Sequence, residues 1–177
     1  MILGLDISTS ITGYTLIDGD KIILNSAWDT RKYKDFFEKV IHVKAGLEEV
    51  HEQYGEQIGA VYIEQSLQSF RSGFSSAKTL STLSRFNGIV SWIVFDKYKI
   101  KPEYLAATSA RKLCGIKIPR GLKAKAVVLD YLLKNEPSFT IEYTRHGNPK
   151  PDSYDRADSI VIARAGIVLE KQRNANN

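Results

Sequence analysis

Two rhythms of apolar residues alternate along this chain. Residues 1–8 (MILGLDIS) and 12–18 (TGYTLID) are dense enough in apolar positions to read as buried strands, and Gly19-Asp20 turns the chain into a third apolar run at 21–27 (KIILNSA). Apolar run, glycine turn, apolar run is a hairpin pattern, so these three strands are expected to form an antiparallel meander. From Tyr33 to about Gln53 the period changes: Phe36, Phe37, Val40, Ile41, Leu47 and Val50 recur at helical spacing among Lys and Glu, and Gly55 closes the helix. A short apolar run at 58–63 (IGAVYI) has strand length and closes on Glu64. A polar, aromatic-dotted loop spans 66–75, and a long helix over 76–97 sets Leu80, Leu83, Phe86, Ile89, Val90, Ile93 and Val94 on one side.

The second half continues the alternation. Residues 102–107 (PEYLAA) predict a fifth strand, 108–113 a short helix capped by Thr108 or Ser109, and 122–134 another helix beyond a basic loop at 115–121. Residues 135–152 are the least regular stretch and hold three of the five prolines. A last helix is expected over 154–172, leaving 173–177 as a frayed tail on a single domain spanning 1–172. Three antiparallel strands followed by two that helical crossovers make parallel give an α/β protein with a mixed five-stranded sheet flanked by helices. That is the element order of the ribonuclease H-like fold.

Composition narrows the setting. With 177 residues the chain suits one globular domain, and its single cysteine, Cys114, allows no internal disulfide. No apolar run approaches the roughly 18 residues that cross a bilayer, so a soluble, cytoplasmic protein without a membrane partner is expected. The net charge of +5 suits a polyanionic partner and equally an enzyme of small acidic substrates. Its distribution is more telling: residues 111–125 (RKLCGIKIPRGLKAK) carry six bases and no acid.

Four acids occupy places that an ordinary core would not give them. Asp6 interrupts the apolar strand ILGLDIS, Glu64 ends the fourth strand, and Asp155 and Asp158 lie three apart at the start of the last helix, in YDRADSIVIARAG. On a helix, i and i+3 share a face, so both carboxylates can reach one spot. The apolar residues that follow press this helix against the body of the protein, so its acids face inward or into a cleft rather than open solvent. Each acid alone has a plainer account: a salt bridge or turn for Asp6, a strand end for Glu64, complementing the helix dipole for the last two. Together they form a set that burial leaves costly unless cations balance it. Four negative charges match two divalent ions, and an all-oxygen donor set without Cys or His suits Mg²⁺ or Mn²⁺ rather than zinc. Two such ions about 3.5–4 Å apart can activate a water and stabilise a leaving oxygen at phosphorus.

At these residues the sequence resembles the RuvC-type Holliday junction resolvases of the ribonuclease H-like superfamily. ILGLDISTSITGY is similar to that family's first motif, VYIEQSL to its second, RFNGIV to the small-residue segment of its long helix, and YDRADSIVIA to its closing helix. The resemblance implies a homodimeric, Mg²⁺-dependent endonuclease that cuts two opposed strands of a four-way DNA junction, with two ions per site and Mn²⁺ able to substitute. Asp6 would then bridge both metals, Glu64 would hold the one on the leaving-group side, and Asp155 and Asp158 would complete the set. Shorter divergent relatives of that family are common in phages and other viruses, and some of them cut flaps and replication forks as well. Where the family often carries a base-prying aromatic after its Glu-Gln, this chain has Leu67, and Phe70 and Phe74 lie in the same loop.

The same reading makes Lys117, Arg120, Lys123 and Lys125 candidate phosphate contacts, with Arg71, Lys78 and Arg85 as further guides for the strand. The helix 76–97, with Phe86, Trp92 and Phe95 besides its core stripe, is the candidate dimer contact. Alternatives within the same chemistry are a broader flap or fork nuclease and an RNA–DNA hybrid nuclease. Outside it stands a non-catalytic junction-binding protein.

Overall fold

The computed structural model describes residues 1–65 and 77–176. The strands are β1 (Ile2–Asp6), β2 (Ile11–Asp18), β3 (Lys21–Asp29), β4 (Ala60–Glu64) and β5 (Glu103–Leu105). The helices are α1 (Phe36–Tyr54), α2 (Ala77–Tyr98), α3 (Ala107–Leu113), α4 (Ala124–Asn135) and α5 (Asp152–Asn176). The sheet order is β3-β2-β1-β4-β5. β1 pairs antiparallel with β2 and β2 with β3, while β4 runs parallel to β1 and to β5. This is the mixed sheet read from the apolar pattern.

Strand parity divides the core. Leu3, Leu5, Val61 and Ile63 face α1 and α2 and pack with Val43, Leu47, Phe86, Val90 and Val94. The intervening Ile2 and Tyr62 face the opposite way and pack beneath α5, with Ile160, Ala157 and the α4 residues Val128 and Leu132. Asp6 and Glu64 share the parity of Ile2 and Tyr62. The parallel register pairs Leu5 with Ile63, so one step further along it Asp6 and Glu64 stand side by side under α5.

Helix α5 sits close on the sheet because glycine clears its bed. A Cβ on Gly13 would lie 2.0 Å from the Asp155 carbonyl oxygen, and one on Gly4 would lie 2.6 Å from the Ala163 amide nitrogen. Gly13 is the cross-strand partner of Asp6, so the place where α5 touches β2 adjoins the acid on β1.

Several boundaries differ from the sequence reading for physical reasons. Helix α1 starts at Phe36 because the Asp35 carboxylate caps it, accepting from the amides of Phe37 and Glu38. Gly55 ends it with a right-handed φ of −52° and leads into a single 3₁₀ turn, not a left-handed stop. Neither Thr108 nor Ser109 caps α3, which turns helical directly off β5 with Ala106 at its cap position. The last helix continues to Asn176, where Arg173 pairs with Glu103 of β5 at 2.5 Å. No helix among the described residues is long and apolar enough to cross a membrane.

Gly13→Ala should lift α5 from the sheet and lower stability by about 1–3 kcal/mol. At Gly59 nothing lies within 4 Å of an added Cβ, so Gly59→Ala should stay within about 0.5 kcal/mol of the parent. Urea unfolding midpoints at constant slope would separate the two, and equal effects would show that the close seating carries no energy.

Candidate metal centre

The turn leaving β1 is fixed by its own hydroxyls. Ser8 Oγ donates to the Ile11 carbonyl at 2.8 Å and accepts from the Ile11 amide, and Thr12 Oγ1 donates to the Ser8 carbonyl at 3.1 Å. Asp6 is thereby held at the last position of β1. At the end of β4 the buried Asn87 of α2 donates from Nδ2 to the Glu64 carbonyl at 3.2 Å, and the Gln65 amide donates to Leu105 at 2.8 Å.

Above these strand ends a polar lock sets the rotation of α5. Thr15 Oγ1 and Ser159 Oγ share a buried 2.7 Å hydrogen bond, and Asn25 Nδ2 donates both to Thr15 Oγ1 at 2.8 Å and to the Arg156 carbonyl at 3.1 Å. Arg156 Nε in turn donates to Asn25 Oδ1 at 3.1 Å. With that rotation fixed, Asp6, Glu64 and Asp158 each bring a carboxylate oxygen within 4.8 Å of the others. Asp155, one turn earlier, joins them through Lys125 of α4, whose Nζ lies 2.9 Å from Asp155 Oδ1 and 3.4 Å from Asp158 Oδ2.

The charges are out of balance. Burial pushes the Asp6 carboxyl well above the usual carboxylate range, and the neighbouring Glu64 and Asp158 charges push it further. Glu64 is driven up to about 7 by burial and then by Asp158. Burial also raises Asp155 and Asp158, with Lys125 pulling both back. Burial works against the charge on Lys125, but Asp6, Asp155 and Asp158 outweigh it and hold the ammonium charged. The Lys125 ammonium and the Arg111 charge that also acts on Glu64 and Asp158 do not together neutralise four carboxylates. A cluster of hard oxygen donors that resists ionisation on its own fits divalent cations, and Asp6, Glu64, Asp155 and Asp158 are the groups that would hold them.

Of the four acids expected from the sequence, the structure brings Asp6, Glu64 and Asp158 within 4.8 Å of one another and sets Asp155 beside them, bound to the same Lys125. Lys125, read there as a phosphate contact, is turned inward onto two of them. Lys123 stands at the cap position of α4, and Lys117 and Arg120 are exposed on the connection from α3. Phe70, Arg71 and Phe74 lie outside the described residues. Sequence reasoning missed Arg111, whose charge acts on both Glu64 and Asp158. It also missed the Asn25–Arg156 lock, although Thr15 and Ser159 were legible as polar breaks in apolar runs.

No family model matches the sequence, and no curated protein is significantly similar to it. Solved structures are similar in fold. RuvC of T. thermophilus in complex with a Holliday junction substrate matches with a TM-score of 0.65 at 16% identity, over 97% of this chain and 94% of that one. A second Thermus thermophilus RuvC structure gives 0.64 at 17% identity, over 97% and 96% of the two chains. The yeast mitochondrial Holliday junction resolvase Ydc2 gives 0.60 at 15% identity, over 98% and 80%. The chain therefore has the ribonuclease H-like fold of the RuvC structures.

Because the Glu64 carboxyl is raised, the folded protein holds a proton that the unfolded chain would release. Stability from this source is complete below the ordinary glutamate value of 4.5 and is lost as pH rises through about 7. In EDTA the melting temperature should fall between about pH 5 and about pH 8, and Glu64→Gln should flatten the fall. Mg²⁺ should raise the midpoint more at the higher pH. A midpoint indifferent to both pH and Mg²⁺ would count against a cation site.

Proposed function

We propose that this chain is a divalent-metal-dependent, structure-selective DNA endonuclease that cuts four-way junctions by phosphodiester hydrolysis, acting as a homodimer. The observation that carries the reading is the convergence of Asp6, Glu64 and Asp158 within 4.8 Å on a fold shared with a RuvC structure that holds a Holliday junction. A pair of Mg²⁺ or Mn²⁺ ions bound there would activate a water and stabilise the leaving oxygen.

The chain's own groups have definable parts in this. Asp6, buried and within 4.8 Å of Glu64 and Asp158, would be the ligand that both ions share. Lys125 steadies Asp155 and Asp158, while 57% of its side chain stays exposed, so its outer side can meet a phosphate. Lys117, Arg120 and Lys123, exposed on the connection into α4, would add contacts to a DNA backbone.

The dimer reading rests on α2. Phe86 is wholly buried in the protein's own core, whereas Trp92 and Phe95 stand 62% and 49% exposed beside Tyr104 of the edge strand β5. With Gly88, Ser91 and Pro102 they line one groove. An apolar patch of this kind on a sheet edge suits an isologous contact between two copies. Two-fold symmetry would present two metal centres to opposed strands, as paired symmetric cuts require.

The deciding measurement is cleavage of a labelled four-way junction in Mg²⁺, alongside duplex, flap, fork and RNA–DNA hybrid of matched sequence. Paired symmetric nicks in the junction are expected. Equal cutting of flaps and forks would make it a general branched-DNA nuclease, and cutting of the hybrid alone would overturn the junction assignment. Asp6→Asn should slow cutting at least about a hundredfold while junction binding persists; cutting that survives it would remove the metal centre from the mechanism. Trp92→Ala with Phe95→Ala should weaken self-association at least about tenfold in sedimentation velocity and convert paired nicks to single ones.

A further inference from the structure

The stretch 135–152, irregular by sequence, contains an ordered hairpin with no assigned part in the site. Its base is anchored: Phe139 is 4% exposed, Ile141 packs against the α4–α5 core, and Arg156 donates to the Thr140 carbonyl at 3.1 Å. Above the base the two arms pair. The Lys150 amide donates to the Glu142 carbonyl at 2.9 Å, Tyr143 bridges Pro149, and the Thr144 amide donates to the Asn148 carbonyl at 2.7 Å. Glu142 and Lys150 close the same rung with an ion pair. Gly147, at φ 76°, makes the left-handed turn at the tip.

The tip carries side chains with no hydrogen bond or ion pair to the body of the protein among the described residues. Tyr143 is 56% exposed, and Arg145 and His146 are exposed with Arg145 Nε donating to His146 Nε2 at 3.0 Å. Three planar side chains thus stand within four residues, and Arg145 has no carboxylate partner among the described residues. The hairpin is also coupled to the acids. Its returning arm runs into α5, with the Ser153 amide donating to the Lys150 carbonyl at 3.0 Å, and Asp155 follows five residues after Lys150. Arg156 clamps the hairpin base and the α5 lock together.

Resting on the nuclease reading above, we infer that the 142–150 hairpin is a nucleic-acid finger that takes an unstacked base at the branch point, through Tyr143 and the Arg145–His146 pair, and so sets the branched end of the substrate relative to the metal centre. Planar aromatic and guanidinium groups on a rigid, cationic turn are what exposed base faces stack on. Continuous duplex, with its bases already stacked, offers them only its backbone.

Fluorescence anisotropy with Ca²⁺ in place of Mg²⁺ reads binding without cleavage, on a four-way junction and on continuous duplex of the same arms. Tyr143→Ala, and Arg145→Ala with His146→Ala, should each weaken junction binding about tenfold and duplex binding markedly less. Tyr143→Phe, which keeps the ring, should restore junction affinity. Unchanged melting temperatures would show that the variants fold. Equal losses on both substrates would replace base stacking by backbone contact and overturn the inference, as would no loss on either. If the parent protein bound no DNA and cut none, the nuclease reading itself would fall, an outcome distinct from a parent that cuts junctions and hairpin variants that match it.

Discussion

The close seating of α5 on the sheet is the constraint from which the rest follows. Backbone meets backbone where a side chain would normally intervene, because Gly4 and Gly13 leave no Cβ beneath Ala163 and Asp155. The Thr15–Ser159 hydrogen bond and the Asn25–Arg156 exchange then fix the helix in rotation as well as height. Only with both coordinates fixed do two carboxylates from a helix meet two from strands that were themselves aligned by parity and register.

That arrangement works against stability. A fold of this size could bury four apolar side chains at the same place to advantage, yet it gathers four acids whose pKa values all move upward. Elsewhere the charges are managed in the usual way, with Lys44 beside Glu48 and Lys134 beside Asp130 on exposed helix faces. The contrast between paired surface charge and unbalanced internal charge is the physical mark of a site kept for a ligand.

Much of this was legible in the sequence because the signals were periodic. Asp6 interrupts one apolar strand, Glu64 ends another, and Asp155 and Asp158 keep the i, i+3 spacing, so the acids group in the sequence itself. What periodicity does not encode was lost. The six bases of 111–125 look alike in sequence, but the rotation of α4 turns Lys125 onto Asp155 and Asp158, while Lys117 and Arg120 stay exposed on the connection before that helix. Phe86, Trp92 and Phe95 all fitted an amphipathic helix, and burial alone separates the first from the other two. The hairpin was invisible because its arms are held by backbone pairing and one left-handed glycine, not by alternating apolar residues.

Helix α5 is pinned at both ends, by its carboxylates and the sheet lock near Asp155 and by Arg173 on Glu103 eighteen residues later. Each residue in a helix turns the chain by about 100°. A single codon gained or lost between those pins would swing one anchored end out of line with the other, whatever residue it specified. The hairpin just upstream feeds straight into the first of those pins, through the Ser153–Lys150 hydrogen bond and the Arg156 contact with Thr140. Lineages descending from this chain should therefore keep the reading frame of α5 at constant length even as its residues drift.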